Sequence, residues 1–189
     1  MLHELAHGLV ADALGDPTPR RMGRLTLDPL AHIDWIGLIM LVLFRFGWAK
    51  PVMCDPRNFR CNPRLGMLWV ALAGPAMNVV VAFAALLAQA MLALPYNGTG
   101  YAIVSLIFLY NVFFAVFNIL PIPPLDGSKI LALLGPEAER LMHMVEPFGW
   151  VILLVAVYTG FISPLLNAMA NGLAQFLVLI ASLLRVGGT

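Results

Sequence analysis

From Leu65 to Leu125 the chain carries no charged side chain, and this run limits what it can fold into more than any other feature. It is clearly interrupted once, at Pro95-Tyr96-Asn97-Gly98-Thr99-Gly100, which leaves apolar stretches of roughly 66–94 and 101–120. Each reaches the roughly 20 residues that a helix needs to cross hydrocarbon. A second charge-free run, Pro147 to Leu184, is divided near Ser163-Pro164 into two shorter apolar segments. Lipid offers no partner to an open backbone amide, so the crossing segments are expected as helices rather than strands. Composition agrees: 61% of the residues are hydrophobic and 11% charged, against about 25% charged in an ordinary soluble domain. A net charge of +1 leaves no basic footprint for nucleic acid.

The polar segments fill in the topology. Residues 15–34 mix charge with short apolar pieces, and Arg24-Leu25-Thr26-Leu27 reads as a short strand. Trp35 to Phe44 is ten uncharged residues, too few to span, and Gly47, Trp48 and Pro51 follow. That length suits a re-entrant or interfacial segment at about 33–51. The expected fold is therefore all-α, a polytopic transmembrane helical bundle with about four full spans. One integral-membrane domain is expected over 1–189, with a core of about 1–135 and C-terminal spans at about 147–185. All eleven Lys and Arg residues fall in 15–64, in 127–146 or at Arg185, which assigns those segments to the cytoplasmic side. Cys54 and Cys61 lack the paired spacing of a structural zinc site and read as free thiols in a reducing compartment.

Chemistry enters at His3-Glu4-Leu5-Ala6-His7. Two histidines four apart on a helix stack on one face and can share a metal ion, and Glu4 beside them is the right type to take a proton from water. Leu2, Leu5, Ala6, Leu9, Val10 and Leu14 make residues 1–14 an apolar helix too short to cross from Met1. A charged amino terminus would also stand two residues from a metal ligand, so an N-terminally truncated helix is expected, with its first half upstream. A catalytic zinc takes three protein ligands and keeps a fourth position open. Asp126 is the outstanding candidate for the third. It is the only acid between Asp55 and Glu137, and Pro121, Pro123 and Pro124 break the helix before it. His32 and His143 have no spaced partner and read as surface or interfacial residues. Gly74 reads as a small residue that eases helix packing.

The pairing of H-E-x-x-H with the distant Asn118-Ile119-Leu120-Pro121-Ile122-Pro123-Pro124-Leu125-Asp126-Gly127, across a span carrying Gly74-Pro75-Ala76-Met77-Asn78, resembles the site-2 protease family. The likeness is to the compact branch of these intramembrane zinc metalloproteases, without a PDZ domain, and runs from residue 1 to about 135. It implies one Zn2+ held by His3, His7 and Asp126, with Glu4 activating water for attack on a peptide carbonyl. It also implies support roles for Asn118 and Asn78 near substrate, a transmembrane protein or peptide as partner, and regulated intramembrane proteolysis in a bacterial inner membrane. The rival from another class is a truncated or degenerate zinc-binding membrane protein without proteolytic activity.

Overall fold

The computed structural model describes residues 1–44, 47–131 and 135–186. Among them the regular elements are all helices: α1 (Leu2–Ala13), α2 (Thr18–Arg21), α3 (Trp35–Phe44), α4 (Pro63–Met91), α5 (Thr99–Ile119), α6 (Ser128–Leu131), α7 (Pro136–Val145), α8 (Gly149–Tyr158) and α9 (Ser163–Val186), with short 3-10 turns between them. Four helical runs are long and apolar enough to cross a membrane: Pro63–Met91, Thr99–Ile119, Glu137–Tyr158 and Ser163–Leu184. The third begins inside the segment expected to be polar, because α7, a 3-10 turn at Glu146–Phe148 and α8 follow one another without an extended break. The expectation of an all-α chain with four spans holds. The strand expected at 24–27 does not form. Thr26 and Asp28 turn the backbone there instead: Thr26 Oγ1 accepts from the Asp28 N–H at 3.1 Å and Asp28 accepts from the Leu30 N–H at 2.9 Å. Such side-chain to backbone bonds compete with a sheet ladder.

The chain divides inside α4 into two compact units, Met1–Gly74 and Pro75–Thr189. In the first, Ala11, Phe59 and Val70 form the core, with Val10, Leu14, Cys54 and Met67 against it. Polar caps then fix the loops. Asp34 accepts from the Gly37 N–H at the start of α3, and Asn62 accepts from the Arg64 N–H at the start of α4. Asp16 is fully buried and accepts from the Thr18 N–H at 3.0 Å, Thr18 Oγ1 at 2.5 Å, the Asp55 N–H at 2.7 Å and Asn58 Nδ2 at 2.9 Å. Burial pushes its carboxyl up, but these four bonds outweigh burial and hold it below the usual range. One carboxylate thereby ties the end of α1 to the loop at 55–58.

The segment after α3 returns along it. The Lys50 N–H donates to the His32 carbonyl at 2.9 Å, closing the base. A Cβ on Gly37 would collide with the Trp48 carbonyl, and one on Gly47 would strike the Gly37 carbonyl and Leu41. The two glycines let two arms, α3 and residues 47–50, lie backbone to backbone as a hairpin, and the α3 arm exposes Trp35, Ile36, Ile39, Leu41, Val42 and Leu43. His32, expected at the surface, is buried at the hairpin's base, with Nε2 against the Thr26 carbonyl at 3.0 Å. Arg24 is buried too and donates to the Ala31 carbonyl. A closed loop, not solvent, satisfies these two polar side chains in part.

In the second unit Val116, Leu120, Leu125, Leu153, Ile162 and Leu166 form one core. Ala82, Val112 and Leu177 form another, joining α4, α5 and α9. The chain leaves α5 at Ile119 and curls through Pro121–Pro124, so that the Gly127 N–H donates to the Asn118 carbonyl at 2.7 Å. Gly127 has no room for a Cβ, which would meet the Ile119 and Leu120 carbonyls.

Candidate metal centre

Helix α1 lays His3 and His7 on one face, and their Nε2 atoms approach to 3.0 Å. The rings meet edge to face, 4.6 Å between centroids. His7 is buried, and its Nδ1 lies 2.6 Å from the Val70 carbonyl on α4. A carbonyl only accepts, so Nδ1 carries the hydrogen and Nε2 presents a lone pair. Two nitrogens at 2.0–2.1 Å from one tetrahedral zinc stand about 3.3 Å apart, close to the separation of this pair. A small opening of the pair, with His3 giving up the hydrogen it shares with His7, would suit both imidazoles to zinc.

Gly74 completes this side. A Cβ there would stand 2.6 Å from His3 Nε2, 2.5 Å from His3 Cε1 and closer still to His7 Nε2. The packing expected of this glycine is real, but what it admits is the imidazole pair rather than a neighbouring helix backbone. Glu4, between the histidines in sequence, is half-buried, and its Oε2 accepts from the Val52 N–H at 3.2 Å. A backbone donor from the far side of the hairpin therefore orients the carboxylate. Neither contact has a sequence signature, since a main-chain group in a loop or a helix looks the same whatever it faces.

The other expected residues belong to the second unit. Asp126 is 9% exposed and sits in the curl after α5, with Lys129 Nζ 3.7 Å from Oδ1. Its own carbonyl accepts from the Lys129 N–H and begins α6. Asn118 bonds back to the Phe114 carbonyl at 3.0 Å through Nδ2, one turn earlier on α5. Asn78 is buried, 4% exposed, on α4. His143 is solvent-exposed beside Glu146, as its sequence suggested. His3, His7 and Asp126 each offer one donor atom of the kind zinc accepts.

The sequence profile of peptidase family M50 matches residues 97–158. Over 178 residues the chain is 38% identical to YwhC of Bacillus subtilis (strain 168), a candidate zinc metalloprotease by name, and the match covers 90% of this chain and 81% of that one. The chain belongs to peptidase family M50, the site-2 protease family. Rip2 of Mycobacterium tuberculosis (strain H37Rv), with the same kind of name, is 32% identical over 180 residues, covering 93% of this M50 chain and 68% of Rip2. No solved structure matches. Membership makes the chain a zinc metalloprotease by class, and its four apolar helices make it an integral multi-pass membrane protein.

Proposed function

We propose that this M50 chain hydrolyses peptide bonds in or near the transmembrane segments of other membrane proteins. The observation that carries the reading is the His3–His7 pair, with Nε2 atoms 3.0 Å apart and His7 fixed by the Val70 carbonyl. Two imidazole nitrogens and the Asp126 carboxylate give the ligand set for one zinc, leaving the fourth position for water and substrate. Zinc, when bound there, supplies Lewis-acid polarisation of the scissile carbonyl and acidifies water.

The chain's own groups do the rest. Glu4 takes a proton at its carboxylate as water adds to the carbonyl carbon. It then gives that proton to the departing amine as the carbon–nitrogen bond breaks. The Val52 N–H, bonded to one carboxylate oxygen, leaves the other free for this transfer. Asn78 and Asn118 hold substrate backbone that has left its helix, whose carbonyls would otherwise be tied up in the ladder. The segment Ile33 to Pro51 lines the entrance for substrate. The Lys and Arg distribution supports a cytoplasmic location for the polar segments and, with them, for this chemistry.

The test is one chain and two variants, Glu4→Gln and Asp126→Ala, purified in detergent and measured for zinc and for cleavage of a transmembrane reporter. Wild type is expected to hold one zinc per chain and to cleave. Glu4→Gln is expected to keep zinc and lose cleavage by a factor of about 10² to 10⁴, while Asp126→Ala loses both. Zinc without any cleavage in wild type would favour the non-proteolytic rival, and Glu4→Gln cleaving at the wild-type rate would remove Glu4 from the mechanism.

A further inference from the structure

Helix α9 buries Leu166, Leu177 and Ala181 toward the body of its unit. Away from that face, Asn167, Asn171 and Gln175 follow one another at intervals of four, all exposed. A four-residue step advances about 40° around a helix, so the three amides form one continuous row. The row lies within the span Ser163–Leu184, reaching from about 6 Å to about 18 Å along its axis. None of the three has a hydrogen-bond partner among the described residues. Other amides in the spans behave differently. Gln89 donates to Ser105 Oγ at 2.6 Å, Asn111 to the Ile107 carbonyl and Asn118 to the Phe114 carbonyl, while Asn78 is buried.

We propose that this row is the surface through which two copies of the chain associate in the membrane. An amide facing hydrocarbon finds no partner in lipid, and interhelical bonding is how such groups are satisfied. Each amide carries both donors and an acceptor, so an identical row on a second copy matches every group on the first. The span Ser163–Leu184 carries no charge, so a copy meets no repulsion and a charged partner finds nothing to pair with. Beside the row stand Ala168 and Gly172, and no atom lies within 4 Å of where a Gly172 Cβ would be. Small residues of this kind let a neighbouring backbone approach closely enough for the short amides to meet. The inference is independent of the metal site.

The experiment uses the full chain in lipid vesicles, with donor-labelled and acceptor-labelled copies mixed and energy transfer followed as the protein-to-lipid ratio falls. Wild type is expected to show saturable transfer above that of randomly placed monomers. The variant Asn167→Leu/Asn171→Leu/Gln175→Leu, which keeps helix propensity and suits lipid, is expected to associate about tenfold or more weakly. Unchanged zinc content would show that the variant is folded. In a Cys54→Ala/Cys61→Ala background, Asn171→Cys should oxidise to a covalent dimer of the chain, whereas Phe176→Cys, exposed on another face of α9, should not. Transfer no greater than random in wild type would overturn the proposal. So would a triple variant that associates as tightly as wild type, or an Asn171→Cys that links only to a different protein.

Discussion

A single methyl group at Gly74 would occupy the space that two imidazole nitrogens now use. Gly74→Ala is therefore expected to weaken zinc binding by a factor of about 10 to 100, the range seen when support around a ligand is disturbed. Titration with a competing chelator measures this. The variant keeps both histidines, so a loss would report geometry rather than missing ligands. Asp16 makes a different kind of prediction. Its carboxyl is held below the ordinary aspartate range, so it contributes stability above the unfolded pKa of about 3.9 and loses that contribution as pH falls through the folded value. Asp16→Asn should flatten the acid limb of a thermal-stability profile below about pH 5. Asp16→Ala, which strands the Thr18, Asp55 and Asn58 donors, should cost on the order of 3 kcal/mol at neutral pH. At this scale the sequence offered candidates for the chemistry and little of what would support them. His3, Glu4, His7 and Asp126 stand out by type and spacing. The Val70 carbonyl and the Val52 N–H are anonymous, and Gly74 is one small residue among many.

Helices were legible because their signal is long. Three of the four spans follow from runs without charge, and the third, Glu137–Tyr158, starts ten residues before its charge-free run because α7 continues into α8 through a 3-10 turn. Shorter elements were not, since over four residues a hydroxyl or carboxylate that bonds the backbone outweighs an alternating pattern. Arg24-Leu25-Thr26-Leu27 alternates like a strand, yet Thr26 and Asp28 turn it. His32 looked like a surface group because nothing in its neighbourhood announced a closed loop. Length alone led to a re-entrant or interfacial segment at about 33–51, while the return of 47–50 along α3, which depends on Gly37 and Gly47, had no sequence signal. Gly37→Ala forces a Cβ into the Trp48 carbonyl, so the arms must part. Expected consequences are a lower melting temperature and a loss of reporter cleavage of about tenfold or more, with zinc content unchanged, because no metal ligand lies on the hairpin. Loss of zinc together with cleavage would show that the hairpin supports the metal side as well.

At the level of the molecule, the distribution of the eleven Lys and Arg residues leads to the expectation that the basic segments face the cytoplasm. An Asn97→Cys variant lacking the native cysteines should react with a membrane-impermeant maleimide from outside intact cells. Cys61, in the basic segment, should react only after lysis. The reverse pattern would turn the protein over and move the proposed chemistry to the other face. The second unit also has a mechanical property that follows from one close approach. Gly149 opens α8 against the Pro123 carbonyl, and a Cβ there would come within 2.6 Å of that oxygen. The turn that leads to Asp126 thus rests on the first residue of α8, midway along the membrane-crossing run Glu137–Tyr158, with no padding between them. Bilayers thinner or thicker than a helix's apolar length change its tilt, and a tilt of this run would bear first on the turn that carries Asp126. The proposed third ligand is therefore the group most directly tied to how that run sits in the bilayer.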